Sequence, residues 1–272
     1  VKRPIAPRVH VLLARESLDA VAIRRGPSRH VATIGWDRRA DTFTLGQWMY
    51  GRIYERRADL SPDGKHLIYF AMNGRWSSRA KGSWTAISRA PYLKAVSMFA
   101  KGDCWHGGGL FLADREFWLN DGYGHEALLN PKGLVRSEAY PWHEQYGGEC
   151  PSVYYIRLQR DGWKMKRIAP DGVALFEKRV KPHWLLRKYA HATVHRAQGR
   201  GVYFDTHELF NDRTDTAVPL EHWEWADVDR DRVVWVADGC LHAGRVGAKG
   251  LHDERLLYDF GPLQFERREA PY

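Results

Sequence analysis

The chain has 272 residues, a 44% apolar fraction, and 12 Trp, 13 Tyr and 10 Phe; it can fill a sizeable core, which excludes a disordered chain. No run of about 18 apolar residues occurs, which excludes a membrane-spanning helix. Lys and Arg exceed Asp and Glu by 42 to 33, a net charge of +9, and Cys104, Cys150 and Cys240 are too few and too odd in number for a disulfide framework.

The opening V-K-R-P-I-A-P-R lacks the apolar stretch of a signal peptide, so the expected location is the cytoplasm, or a leader was removed before Val1. The first strand is expected at Val9–Ala14. Ala20–Arg25 and His30–Trp36 follow, split by the turn Gly26-Pro27-Ser28, and Thr42–Tyr50 adds a fourth strand to one meandering sheet. The second unit opens on Ser61-Pro62-Asp63-Gly64, a turn whose residues preset φ, bond their own backbone and tolerate positive φ. Strands at His66–Ala71, Trp84–Ser88 and Ala95–Ala100 follow, with the basic stretch Asn73–Gly82 as a loop.

A third unit starts at Gly107-Gly108-Gly109, read as a flexible lead-in to a strand, with close backbone approach as the alternative. It continues through Glu116–Leu119, the turn Asn120-Asp121-Gly122, and Gly133–Arg136. A fourth begins with a strand at Val153–Leu158. Asp161-Gly162 then reads as a hairpin turn to Trp163–Ile168, and Asp171-Gly172 as another leading into Val173–Val180. The stretch His183–Val194 fits strand or short helix. A fifth unit centres on Gly201–Asp205. The sixth runs through Val233–Val236, Leu241–Val246 and Leu256–Phe260.

The leading strands are spaced as propeller blades are, and no segment carries a long helical period. The expectation is therefore an all-β chain, residues 1–272 forming one β-propeller domain of six blades, with five or seven as the alternatives.

A-D-L-S-P-D-G-K-H-L-I-Y-F-A at residues 58–71 resembles the repeat of the TolB-like and WD40-like β-propellers, in which S-P-D-G precedes the inner strands. A-D-V-D-R-D-R-V-V-W-V-A-D at residues 226–238 resembles it more loosely. The resemblance implies a propeller fold and carries no catalytic residues. Some members of that group precede peptidase domains; here no G-x-S-x-G elbow occurs, and no hydrolase domain is expected after residue 265.

Candidate chemistry is sparse. His125-Glu126, His143-Glu144 and His207-Glu208 lie on expected loops, but adjacent residues chelate poorly and no metal-ligand spacing supports them, so no metal is expected. Cys104-Trp105-His106 offers a thiol and an imidazole without a visible activating environment. Neither phosphate-loop nor dinucleotide fingerprints occur, so no cofactor is expected. The loop Tyr140–Glu149 combines aromatic, acidic and His side chains; it suits ligand stacking or packing between sheets. In His222-Trp223-Glu224-Trp225 the two Trp share a strand face and are expected to pack. Asp59, Asp114, Asp205 and Asp227 sit near strand ends, but Asp59 and Asp227 occupy the repeat position and are expected to hold its turn rather than act as acid or base.

The expected function is a non-enzymatic interaction scaffold for a protein partner, docking through rim or central-channel loops. The candidate binding residues are Trp105, His106, His125, Glu126, Trp142, His143, Glu144 and Tyr146. Charge supports an alternative. Residues 1–101 hold 19 Lys and Arg against 7 Asp and Glu, residues 157–188 hold 10 against 3, and residues 205–238 hold 3 against 10. Such basic stretches, with Trp76, Trp84, Trp163 and Trp184 nearby, suit a nucleic-acid backbone and its bases. A glycan-active enzyme using His143 and Glu144 at a channel mouth is the third class.

Overall fold

The computed structural model describes residues 5–27, 29–122, 124–192 and 201–272. Ser28 of the first expected turn, Thr193 and Val194 of the ambiguous fourth-unit stretch, and the first four residues lie outside them. The chain is 52% strand and 5% helix, an all-β protein. It forms two compact units: Leu158–Pro262 with the chain up to Val9, and His10–Arg157 with Leu263–Tyr272.

Strands β1 (Arg8–Leu13), β2 (Asp19–Arg25), β3 (His30–Asp37) and β4 (Thr42–Tyr50) make the first sheet, in chain order. The second holds β5 (Arg52–Ile53), β6 (Asp59–Leu60), β7 (His66–Met72), β8 (Ser83–Arg89) and β9 (Ala95–Ala100). Strands β10 (Gly109–Ala113) and β11 (Glu116–Leu119) start the third sheet; β12 (Glu126–Leu129) returns to the second, beside β9. Strand β13 (Val135–Ser137) completes the third and runs parallel to β11.

Helix α1 (Pro151–Arg160) follows, then the fourth sheet of β14 (Lys164–Ile168), β15 (Ala174–Lys181), β16 (Trp184–His191), β17 (Phe204–Asn211) and β18 (Thr216–Pro219). The fifth holds β19 (Trp223–Asp229), β20 (Arg232–Ala237), β21 (Cys240–Gly247) and β22 (Gly250–Asp259). Five sheets are described, one fewer than six units require.

The remaining strands of the expected fourth unit, β14 and β15, share one sheet with β17 of the fifth, and the strand expected at Val153–Leu158 is helical. Pro151 suits the first helical turn, where no amide partner is needed. Val153, Tyr154, Tyr155, Ile156 and Leu158 are all buried, so the run lacks the polar face that marks a surface helix. Asp161-Gly162 is correspondingly no hairpin. Gly162 takes φ +90°, its amide bonds the Gln159 carbonyl, and the Trp163 amide bonds that of Leu158, the Schellman pattern of a helix end.

In the second sheet, alternation along β7 decides which side chain meets which neighbour. Leu67, Tyr69 and Ala71 join Leu12, Val21 and Val31 of the first sheet in one core. Ile68 faces the other way and packs with Phe111 and Phe117 of the third sheet. Each Leu, Val, Ile or Phe among them contributes about 1.5–3 kcal/mol on burial.

The repeated sequence forms an antiparallel strand pair at both places, but the connection after Leu60 is two residues longer than the one after Val228. Asp59 faces Ile68 and Leu60 faces Leu67; Asp227 faces Val234 and Val228 faces Val233. The turn itself is held by Ser61 and Asp63, whose side chains bond each other at 2.7 Å and cap the His66 and Lys65 amides. The repeated Asp reaches a neighbouring sheet instead. Asp59 accepts from the Phe111 amide at 2.7 Å, and Asp227 from the Lys178 ammonium at 2.6 Å. Trp223 and Trp225 are buried as expected, Trp223 stacked on Trp235 at 4.4 Å.

Candidate functional site

At one end of the second sheet, four connections meet: residues 73–82 between β7 and β8, 101–108 after β9, 120–122 with 124–125 before β12, and 140–150 before α1. Arg57, in the 3-10 turn Glu55–Arg57, ties two of them together. Its guanidinium donates to the carbonyls of Cys104 (2.7 Å) and His106 (2.5 Å) and to the Glu149 carboxylate. It also lies over the Phe70 and Tyr54 rings, at 5.0 and 4.9 Å. A buried guanidinium surrounded by acceptors fixes loop backbones to one geometry.

The triple glycine is not a flexible lead-in. Gly107 and Gly108 take positive φ, +81° and +76°. A Cβ at Gly107 would overlap the Phe70 ring, and one at Gly108 the Arg57 carbonyl. Close approach is therefore the reason for these glycines. The Gly108 amide donates to the Thr85 hydroxyl at 2.8 Å.

That hydroxyl starts a relay. Asp121 faces Nδ1 of His125 at 2.9 Å, and His125 Nε2 faces Thr85 Oγ1 at 3.0 Å. With Nδ1–H donated to the carboxylate, Nε2 accepts from Thr85. Burial lowers the His125 pKa, against the pull of Asp121, so the imidazole is neutral. Burial raises Asp121, but its hydrogen bonds from His125 and Arg136 bring it below the ordinary carboxylate value. The carboxylate–imidazole–hydroxyl order resembles a nucleophile relay, yet Thr85 is fully buried. No substrate reaches it; the relay locks the loops to β8.

The eight candidate binding residues therefore separate. His125 is in the lock. Trp142 and Tyr146 pack with Trp118 and Tyr140 against Leu110, Val153 and Ile156, the packing alternative for that loop. His143 and Glu144 are exposed, as is Glu126, whose carboxylate pairs with Lys81 at 2.6 Å. His106 is half-buried, and Trp105 is 57% exposed. Cys150 is buried, which raises its pKa despite Arg57 nearby, so it stays a thiol. Among the described residues, no three or more His, Cys, Asp or Glu converge to hold a metal ion.

Of the four Trp weighed for base stacking, Trp84, Trp163 and Trp184 are buried and unavailable. Trp76 is 54% exposed and lies against Gly82. Its loop and that of Trp105 are joined: the Ser83 hydroxyl donates to the Asp103 carbonyl (2.6 Å) and accepts from the Gly102 amide (3.0 Å). Arg75 and Arg79 flank Trp76 and form no salt bridge among the described residues. The joining of the Trp76 and Trp105 loops escaped sequence reading because it depends on which loops share a sheet end.

No protein-family model matches this chain, and no curated protein does. Among solved structures, the crystal structure of the tricorn protease matches with a TM-score of 0.25 and 10% identity, over 95% of this chain and 35% of that one. The chain thus spans about a third of that protein's length, and a likeness of this degree carries no argument.

Proposed function

We propose that this protein is a non-enzymatic interaction scaffold, a five-bladed β-propeller of the TolB-like or WD40-like kind, that docks an acidic segment of a partner protein on its Trp76–Trp105 loop end. Sheets that, β12 apart, follow one another in chain order, and the antiparallel strand pair formed at both copies of the repeat, support the blade reading. So does burial of both faces of the second sheet.

The observation that carries the docking reading is the pair of exposed Trp on joined loops, beside Arg75 and Arg79. Trp and Arg dominate binding energy at interfaces, and the local charge favours an acidic partner. A second reading, single-stranded nucleic acid, draws on the same loop, since Trp76 offers a stacking face amid cations.

Random peptides displayed and selected on the protein should converge on acidic sequences. Their affinity should fall at least tenfold, about 1.4 kcal/mol, in the Trp76→Ala/Trp105→Ala variant. Selected peptides that bind this variant equally well would refute the docking surface. Oligothymidylate that binds tightly with a steep salt dependence, while no acidic peptide is enriched, would transfer the surface to nucleic acid.

A further inference from the structure

The opposite end of the second sheet carries different chemistry. His66 opens β7 and Arg89 closes β8, and the two are register partners. They sit roughly 20 Å from the Trp76 end, given about 3.3 Å per strand residue. Arg115 lies in the β10–β11 turn and Lys132 in the connection before β13. These four side chains line a cavity of about 250 Å³, floored by Val96 and Leu134, with no carboxylate in its wall. His66, Arg89 and Arg115 also line an adjoining cleft of about 670 Å³ that extends past Val21, Trp36 and Pro91.

The positive charge here lacks compensation. Arg115 and Lys132 are exposed and form no salt bridge or side-chain hydrogen bond among the described residues. Arg89 is held over the Tyr272 ring at 4.9 Å rather than by a carboxylate. Nearby carboxylates are engaged elsewhere: Asp63 by the Ser61 hydroxyl and by Lys65, Asp114 by the Asp63 amide. Asp19 and Asp37 line only the larger cleft. His66 Nδ1 is buried with no partner among the described residues. Burial, then Arg115, Arg89 and Lys65, favour the neutral imidazole, with Asp63 opposing.

We infer that this cavity binds the phosphate group of a small phosphate monoester, whose organic body extends into the larger cleft. A phosphate presents acceptor oxygens to planar guanidinium forks, an ammonium and an imidazole N–H, and supplies the missing negative charge. The smaller cavity suits such a group, and the apolar wall of Val21 and Pro91 suits a body beyond it. This site is independent of the Trp76–Trp105 surface.

Calorimetric titration with phenyl phosphate should give saturable one-site binding. Arg115→Gln/Lys132→Gln should weaken it at least tenfold with an unchanged circular dichroism spectrum, since both side chains are exposed and unpaired. Arg75→Gln/Arg79→Gln, at the other end of the sheet, should leave it within twofold. Absence of saturable binding, or equal weakening by both double variants, would overturn the site. An oligonucleotide that binds through Arg115 and Lys132 while phenyl phosphate does not would overturn it too. Because the peptide assay reads Trp76 and Trp105, failure of either proposal is visible without the other.

Discussion

Gly108→Ala is expected to destabilise the protein by more than about 4 kcal/mol, among the largest effects of any single methyl group. Two costs combine. Gly108 holds φ +76°, which costs a non-glycine residue about 1–3 kcal/mol. The added Cβ would also overlap the Arg57 carbonyl and approach Arg57 Cβ to 2.8 Å. Neither neighbour can yield easily. Arg57 is 1% exposed and its guanidinium is committed to Cys104, His106 and Glu149. Moving Gly108 would break its amide bond to Thr85 and release the His125 lock. Gly74→Ala provides the control, because Gly74 also has positive φ (+72°) but open space around it. Urea denaturation of both variants separates strain from overlap. A Gly108→Ala loss within about 1 kcal/mol of the Gly74→Ala loss would contradict the close approach.

Acidification from pH 7 to pH 4 is expected to remove about 3 kcal/mol of stability through His207 alone. His207 is 3% exposed on β17, and burial, reinforced by Lys188, lowers its pKa to about 3 against the pull of Asp205 and Asp227. Its Nδ1–H donates to the Trp223 carbonyl at 3.1 Å. The unfolded imidazole titrates near 6.5, so between about pH 6.5 and 3 the unfolded chain binds one proton more than the folded one. Stability is therefore full above about pH 6.5 and falls with pH by up to about 1.4 kcal/mol per unit. His207→Asn keeps a donor for the Trp223 carbonyl and removes the titration. Its stability should fall less steeply than wild type from pH 7 to pH 5, the remaining slope coming from His125 and His66, whose pKa values burial also lowers, and at lower pH from carboxylates such as Asp63 and Asp227, both held below their ordinary value. Equal slopes for wild type and variant in denaturant titrations would show that His207 is not the source.

Most strands were legible because β-branched and aromatic residues alternate between turn signals. Ala20–Arg25 and Thr42–Tyr50 are strands close to their expected bounds. Helix α1 was not legible, because Val153, Tyr154, Tyr155 and Ile156 have strand propensity and are buried by neighbours the sequence does not name. Short β12 and β18 were missed because Glu126–Leu129 and Thr216–Pro219 are edge strands with little buried surface. The candidate site was partly legible. Trp105 was visible as an unusual residue, but the burial of His125 depends on Thr85, forty positions earlier. The cavity of His66, Arg89, Arg115 and Lys132 was invisible, since two strand ends and two separate connections contribute one side chain each.

Small-angle X-ray scattering on the whole chain tests the proposed ring of five sheets most directly. A closed propeller of 272 residues should give a radius of gyration of roughly 18–19 Å, the value for one compact domain of that length. A radius above about 22 Å, with a second shoulder in the pair-distance distribution, would mean that no ring exists.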